Sequence, residues 1–125
     1  MAEAILQAKA LGFRFPDGCW AFKNIDFELF RGQIGVLAGR NGAGKTIFAK
    51  HLAGLLTPTE GSVLIGGIGL RDIKGSIAAR VGYVFQDARL QIVGDTVLDD
   101  ALFGPTNLGL PQAQARQAAE AALAS

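Results

Sequence analysis

The chain has 125 residues, half of them apolar, and its formal net charge is +1. This length is typical of one small domain or of part of a larger one, and the apolar content is sufficient for a packed core. The lysines and arginines form no basic stripe of the kind that binds nucleic acid, and no apolar run approaches the roughly 18 residues of a membrane-spanning helix. Nucleic acid is therefore not an expected partner, and any membrane role should be peripheral.

The first part of the chain predicts β-structure. One strand is expected between Ile5 and Phe15, and the alternation of apolar and polar residues over Ile25–Leu29 indicates a second, half-buried strand. A proline-aspartate-glycine turn separates them. The almost wholly apolar run Ile34–Ala38 is typical of a parallel strand that is buried on both faces, and it leads directly into a glycine-rich loop.

This loop, Gly39-Arg40-Asn41-Gly42-Ala43-Gly44-Lys45-Thr46, fits the phosphate-binding pattern G-x-x-x-x-G-K-[ST]. Its glycines let backbone N–H groups approach the phosphates of a nucleotide and adopt positive φ angles. Lys45 would reach the β- and γ-phosphates, and Thr46 would place its hydroxyl on Mg²⁺. The helix that follows would point its positive end at the same anion. The sequence thus predicts a nucleoside triphosphate site, with a flexible glycine-rich turn as the alternative.

The remainder of the chain alternates predicted helices and strands. In order, the expected elements are a helix at Lys45–Leu56 that contains Gly54, a short strand at Ser62–Ile65, a buried parallel strand at Val81–Phe85, a helix near Thr96–Phe103 that Gly104 and Pro105 end, and a helix that starts at Pro111. A strand, a phosphate loop, a helix and a further buried strand make an α/β arrangement.

Taken together, these residues resemble the ATP-binding subunit of an ABC transporter. The likeness is strongest to the energy-coupling-factor type, which drives uptake of vitamins or of cobalt and nickel ions. Three stretches carry the resemblance: Phe13–Gly18, the phosphate loop with its exit His51–Gly61, and the region that comprises Val81–Asp87, Gln91–Val93 and Phe103–Leu110. The likeness covers essentially the whole chain.

The resemblance implies the fold and its division. It implies an incomplete α/β P-loop NTPase core of the ABC type, with an N-terminal antiparallel β subdomain and C-terminal helices. Residues 1–32 would be mainly β, 33–90 would form the P-loop core as far as the Q-loop, and 91–125 would begin the helical subdomain. The isolated phosphate loop would indicate only an NTPase, whereas the third stretch points to this transporter subgroup.

The resemblance also implies which residues serve ATP. The residues assigned to ATP are Phe15, Gly39, Arg40, Asn41, Gly42, Ala43, Gly44, Lys45, Thr46 and Ile47. Phe15 would stack on adenine, with Phe13 as the alternate and an ordinary core aromatic as the other interpretation. Lys45 and Gln86 would be the catalytic residues, and Thr46 and Gln86 would ligate Mg²⁺ through oxygen atoms. Gln91 and the helix after it resemble a segment that touches the membrane partner.

Several positions depart from the pattern of the family. Ile47 stands where most members place Ser or Thr, so a hydrogen bond to the α-phosphate, worth roughly 1.5–3 kcal/mol, is lost. His51 is interpreted as a structural helix residue, because the functional histidine of the family lies far beyond the Q-loop. The signature segment, the carboxylate pair after an apolar strand and the switch histidine do not occur. Asp99 and Asp100 are interpreted as a solvated helical face, so the sequence offers no candidate base.

These features lead to one expected function and its alternatives. We expect an ATP-binding subunit of an importer, peripheral on the cytoplasmic face of the membrane, that pairs with a second ATPase subunit and a membrane transporter subunit without touching cargo. The abrupt end suggests the N-terminal half of such a subunit. This half should bind ATP weakly, hydrolyse it poorly, and leave Ile34–Ala38 without neighbours. The alternatives are a non-hydrolytic remnant that binds nucleotide or a partner, and a small-molecule kinase, which the 38 residues before the loop argue against.

Overall fold

The computed structural model describes residues 3–125, with the backbone alone for Ala88. The chain divides into two compact units, one that runs to Tyr83 and one that comprises Val84–Ser125. The division at residues 32/33 and 90/91 stays a prediction, and residues 1 and 2 of its first region lie outside the described part. Between residues 3 and 125, no helix is both long and apolar enough to cross a membrane.

An antiparallel sheet of four strands organises the first unit. The strands are β1 at Ala4–Arg14, β2 at Trp20–Phe30, β3 at Glu60–Ile65 and β4 at Ile68–Gly69, in the order β2-β1-β3-β4. Each neighbouring pair is antiparallel. The strands expected between Ile5 and Phe15, around Ile25–Leu29 and at Ser62–Ile65 are therefore confirmed.

A bulge in β1 changes which of its side chains face the core. Ala10 has a positive φ of 48°, and its N–H donates to the Asp26 carboxylate at 2.8 Å. The register of β1 shifts here against both of its neighbours. Because the bulge adds one residue, Ala8 and Leu11 are both buried although they are three positions apart rather than two.

In the described part of the first unit, one α-helix packs on this sheet and completes a small core. Helix α1 spans Lys45–Leu52 and contributes Phe48 to a cluster with Ala8, Leu11 and Val63. The prediction that this helix extends to Leu56 was wrong.

Gly54 ends helix α1 rather than lying inside it. It adopts φ 76°, its N–H donates to the His51 carbonyl at 3.1 Å, and the N–H of Leu55 donates to the Lys50 carbonyl at 2.9 Å. This pair of bonds is the glycine-terminated cap that satisfies the last carbonyls of a helix.

The two predicted parallel strands do not form. Segments 34–38 and 81–85 lie in no strand, and Ile34 and Val36 are 94 % and 88 % exposed. Their apolar sequences suit strands covered on both faces, whereas every strand in residues 3–125 pairs antiparallel in the one sheet. The prediction of burial was wrong. The expectation that Ile34–Ala38 lacks neighbours that a full subunit would supply stays a prediction, and within this chain Leu37 and Ala38 lie beside residues of β2.

The second unit contains two helices. Helix α2 spans Val97–Asn107 and contacts α3 at Gln112–Ala124, where Ala115 and Ala119 are buried. The predicted helix is present but begins at Gln112, one residue later than expected, because Pro111 is its N-cap residue, with an extended ψ of 149°.

The prediction that Gly104 and Pro105 end α2 was wrong. A proline this near the helix end removes only one hydrogen bond of the helix, whereas Gly109 takes φ 84° and donates to the Thr106 carbonyl at 3.1 Å. The positive φ, which glycine adopts at little cost, is what terminates this helix.

Candidate functional site

The glycine-rich loop joins the exposed segment 34–38 to helix α1. Gly42 and Gly44 adopt positive φ angles of 84° and 91°, and the Ala43 N–H donates to the Arg40 carbonyl at 3.1 Å. A Cβ atom at Gly44 would lie 3.0 Å from the Ala21 carbonyl oxygen of β2. Gly44 therefore meets two demands at once, a left-handed backbone and a close approach to the sheet.

The N-terminus of α1 lacks the side chains that normally close a helix. Gly44 is its N-cap residue, no side chain caps it, and its first turn carries no acidic residue. The first hydrogen bond that enters the helix runs from the Phe48 N–H to the Gly44 carbonyl at 2.9 Å. Within the described chain, no backbone acceptor takes the N–H groups of Gly44, Lys45 or Thr46. Unpaired amides at the positive end of a helix are suited to bind an anion.

Side chains of the loop add a cation and a hydroxyl to these amides. The Lys45 ammonium contacts the Gly39 carbonyl oxygen, so the lysine folds back over the loop. Thr46 is exposed at the first turn. Arg40 and Asn41 are also exposed. The donors available here are amides, one ammonium and one hydroxyl, a set that matches a phosphate chain with a hard cation.

Ile47 has a different environment from its neighbours. Its side chain is half-buried, and its carbonyl oxygen lies 2.7 Å from Nδ1 of His51. His51 is buried within the first unit, so its interpretation as a structural helix residue is confirmed. The sequence could not reveal its ring contacts, because they depend on how α1 lies on the sheet.

A cavity of about 160 Å³ lies between β2 and the loop. Its lining consists of Phe22, Ile25, Leu37, Ala38, Ala43, Gly44, Lys45 and Phe48. With Lys45 as its only charged member, this lining does not suit phosphate groups, which require several donors. The exposed N-terminus of α1 is therefore better suited to an anion than this cavity is.

Phe15 lies at the tip of the β1–β2 hairpin. Its N–H donates to the Cys19 carbonyl at 2.8 Å, and its carbonyl accepts from Gly18 at 2.9 Å. The ring is 36 % exposed and contacts Phe13 edge-to-face at 5.4 Å. Phe13 is half-buried and lies 4.8 Å from His51. Of the two aromatic candidates, Phe15 is the more accessible.

Gln86 belongs to the second unit and lies in a loop whose two ends are joined by a hydrogen bond. Gln86 is exposed. The N–H of Phe85 donates to the Gln91 side chain at 2.8 Å, which joins the two ends of the loop. Asp87 accepts from the Arg89 N–H at 3.1 Å and pairs with the Arg89 guanidinium at 3.1 Å. The hydrogen bonds from the side chain and the backbone of Arg89 lower the pKa of the Asp87 carboxyl.

The interpretation of Asp99 and Asp100 as a solvated helical face was wrong for Asp100. It is half-buried, and its carboxylate accepts from the N–H groups of Val93 at 2.8 Å and Gly94 at 3.2 Å. A Cβ atom at Gly94 would lie 2.2 Å from the Asp100 nitrogen, so the loop presses directly against the start of α2. Asp99 is exposed as expected. A glycine six residues before an aspartate at a helix start was the only signal in the sequence.

Comparisons with known proteins match this arrangement to one family. The family model described as "ABC transporter" matches residues 22–124. The energy-coupling factor transporter ATP-binding protein EcfA of Methanosphaera stadtmanae is 45 % identical over 115 residues, which cover 90 % of this chain and 41 % of that protein. The cobalt import ATP-binding protein CbiO of Rhodobacter capsulatus is 41 % identical over 124 residues, which cover 97 % of this chain and 44 % of that protein.

Solved structures agree on the fold. The structure of cbiO1 from Clostridium perfringens, described as part of the ABC transporter complex cbiONQ, superposes with a TM-score of 0.77 at 30 % identity. The match covers 92 % of this chain and 47 % of that one. The fold is therefore that of an incomplete ABC-type ATPase with an antiparallel β sheet and C-terminal helices, as expected. The chain spans somewhat less than half the length of the curated relatives it matches.

Proposed function

Because the chain belongs to the ABC transporter family, we propose that its glycine-rich loop binds the phosphates of ATP. The observation that carries the proposal is the open N-terminus of α1, with positive-φ glycines before it and no capping side chain or acid of its own. A helix end of this kind binds an anion through amides that the protein leaves unpaired.

We assign roles to the residues of the loop from their chemistry. The amides of the loop from Gly39 to Ile47 hold the phosphates, and the Lys45 ammonium neutralises the β- and γ-phosphates. Mg²⁺, when bound, neutralises further negative charge on the phosphates. Thr46 holds this ion through its hydroxyl. The role that the family resemblance gives Gln86, an oxygen ligand that responds to the γ-phosphate, stays a prediction. No cluster of His, Cys, Asp and Glu suited to a metal occurs among residues 3–125.

We assign adenine to Phe15. Its ring is accessible at the hairpin tip, whereas Phe13 packs towards His51. Stacking requires an exposed π face and no hydroxyl, so phenylalanine can serve.

In the whole protein, we propose an ATP-binding subunit of an energy-coupling-factor importer. It works with a second ATPase subunit and a membrane subunit on the cytoplasmic face, and it couples ATP binding and hydrolysis to uptake of a metal ion or vitamin. The names of its relatives support this role, since they are energy-coupling and cobalt import ATP-binding proteins. We place the contact with the membrane subunit at Gln91 and the following segment, where Ile92 and Val93 expose apolar side chains.

A second candidate function is a nucleotide- or partner-binding module that does not hydrolyse ATP. One observation favours it. The half-buried Asp100 accepts hydrogen bonds from the N–H groups of Val93 and Gly94 through its Oδ1 atom. A carboxylate oxygen that accepts two amide hydrogens holds the loop before α2, a structural role rather than that of a base.

Titration calorimetry with Mg·ATP tests the binding site. Lys45→Ala should weaken binding about tenfold to a hundredfold, because a hydrogen bond to a charged group is worth roughly 1.5–3 kcal/mol. Lys50→Ala, at the other end of the same helix, is the matched control and should bind as the unaltered chain does. Equal affinities of all three proteins, or no binding by a folded sample, would overturn the proposal. Phosphate release above the Lys45→Ala background separates the enzyme from the binding module.

A further inference from the structure

His51 is the buried polar side chain at the centre of an aromatic cluster in the first unit. It is 0 % exposed. Its ring lies 4.8 Å from Phe13 at an interplanar angle of 58° and 5.4 Å from Phe22 at 87°. Phe22 also contacts Phe48 edge-to-face at 5.5 Å. The imidazole therefore lies between the β1–β2 hairpin and helix α1.

A hydrogen bond to the helix backbone fixes the orientation of this ring. Nδ1 lies 2.7 Å from the Ile47 carbonyl oxygen. A carbonyl only accepts, so Nδ1 carries the hydrogen and donates. Nε2 is buried without a hydrogen-bond partner among the described residues. One ring nitrogen is thus fixed by the helix backbone, and the other side of the ring faces aromatic neighbours.

The cluster continues outward from His51 to the accessible aromatic of the hairpin. Phe13 contacts His51 on one side and Phe15 on the other, the latter edge-to-face at 5.4 Å and 80°. Phe15 is the ring that reaches solvent at the hairpin tip. His51 is carried by α1, whose first residues are Lys45 and Thr46. One line of contacts thus joins the C-terminal turn of α1, the helix that begins at the glycine-rich loop, to the adenine candidate.

We propose that His51 is a positioning residue for ATP. It holds Phe13, and through it Phe15, at a fixed place relative to α1, so that one nucleotide can contact Phe15 with its base and the glycine-rich loop with its phosphates. The inference rests on the proposed function and adds a specific role for a residue that contacts neither the base nor the phosphates. Because the contacts act through the position of Phe15, they concern recognition of the base and not of the phosphates.

A ligand without a base separates positioning from support of the fold. Under the proposed function, Mg·ATP contacts both Phe15 and the glycine-rich loop, whereas magnesium tripolyphosphate contacts only the loop. His51→Leu should weaken Mg·ATP binding about threefold to tenfold, the range of an aromatic contact, and leave tripolyphosphate binding within about twofold. Phe15→Ala should show the same pattern, and the double variant should be no weaker than Phe15→Ala alone.

Phe48→Leu is the matched control, since Phe48 is buried in the same helix and contacts Phe22 and Phe27 but not the hairpin tip. Phe48→Leu should leave unchanged the ratio of the Mg·ATP affinity to the magnesium tripolyphosphate affinity. If His51→Leu does not fold, His51→Phe keeps an aromatic ring, lacks the hydrogen bond to Ile47, and should still lower the ratio about twofold or more.

The outcomes distinguish the inference from the function on which it rests. Equal losses for both ligands in the His51 variants, or no loss, would show that His51 only supports the core and would overturn the inference. In that case a selective loss in Phe15→Ala leaves the proposed function standing. If Phe15→Ala does not change the ratio, stacking on Phe15 is wrong and the inference falls with it.

Discussion

The starts of helices α1 and α2 are built in opposite ways. At α1, a left-handed glycine takes the N-cap position and the first turn carries no acid. At α2, the Thr96 hydroxyl accepts from the Asp99 N–H at 3.1 Å, and two aspartates occupy the first turn. One helix satisfies its own positive end, and the other leaves it unsatisfied. An unsatisfied helix end costs stability, and its place at the glycine-rich loop supports the proposal that this loop binds an anion.

An acidic residue introduced into the first turn of α1 tests this contrast most directly. Thr46→Asp gives α1 the kind of first-turn acid that α2 already has. Mg·ATP affinity should fall roughly a hundredfold, because a carboxylate a few ångströms from a phosphate costs about 3 kcal/mol at intermediate dielectric. The free energy of unfolding should stay the same or rise by about 0.3–1 kcal/mol, because an acid suits this end of a helix. Calorimetry and chemical denaturation measure the two effects.

The neutral variant Thr46→Asn is the control for charge. It removes the hydroxyl without adding a carboxylate, so its loss of affinity should be clearly smaller. Equal losses in both variants would show that the helix end is not an anion site and that only the hydroxyl matters.

The next test concerns the start of α2, where the carboxylate of Asp100 holds the preceding loop. Asp100→Ala removes the acceptor of two amides, those of Val93 and Gly94, and should destabilise the loop by about 1–3 kcal/mol. Faster hydrogen exchange at these two amides reports the change. Asp99→Ala, an exposed neighbour, should stay within about 0.5 kcal/mol. Slow exchange retained in Asp100→Ala would mean that the carboxylate does not hold the loop.

Thr96 carries the cap of α2 itself. Thr96→Ala should destabilise the helix by about 1 kcal/mol, whereas Thr96→Ser keeps the hydroxyl and most of the stability. Chemical shifts of Val97–Asp100 report fraying of the first turn. Indistinguishable spectra for the two variants would contradict the role of the cap.

The smallest effect concerns Asp87, which caps the 3₁₀ turn Ala88–Gln91. Its hydrogen bonds from Arg89 lower its pKa. A carboxyl whose pKa is lower in the folded chain contributes stability above its unfolded pKa of about 4, and this contribution is lost as the pH falls through the folded value. Because Arg89 and Asp87 have side chains 86 % and 42 % exposed, the contribution should be small.

Titration of Asp87 by NMR measures this effect. Arg89→Ala should raise the pKa of Asp87 towards its ordinary value. Arg116→Ala, which removes the exposed pair with Glu120, is the matched control and should leave Asp87 unchanged. A pKa that does not rise in Arg89→Ala would show that the ion pair does not form in solution.

The sequence by itself determined the elements whose signals are local. The strand pattern of β1 and β2, the eight-residue phosphate pattern and the family resemblance all follow from neighbouring residues. Gly54 and Gly109 carry equally local signals, and reading them as caps would have placed the ends of α1 and α2 correctly. Assigning Gly54 to the helix interior and stopping α2 at Pro105 were errors of interpretation rather than missing information.

Only the tertiary structure decided which of these residues meet. The apolar runs at 34–38 and 81–85 describe strands that need neighbours on both faces, and burial depends on whether those neighbours are present. His51 and Asp100 likewise take their roles from contacts with the hairpin and with the loop before α2. A local pattern records what a residue prefers, whereas a contact between distant residues exists only once the chain has packed.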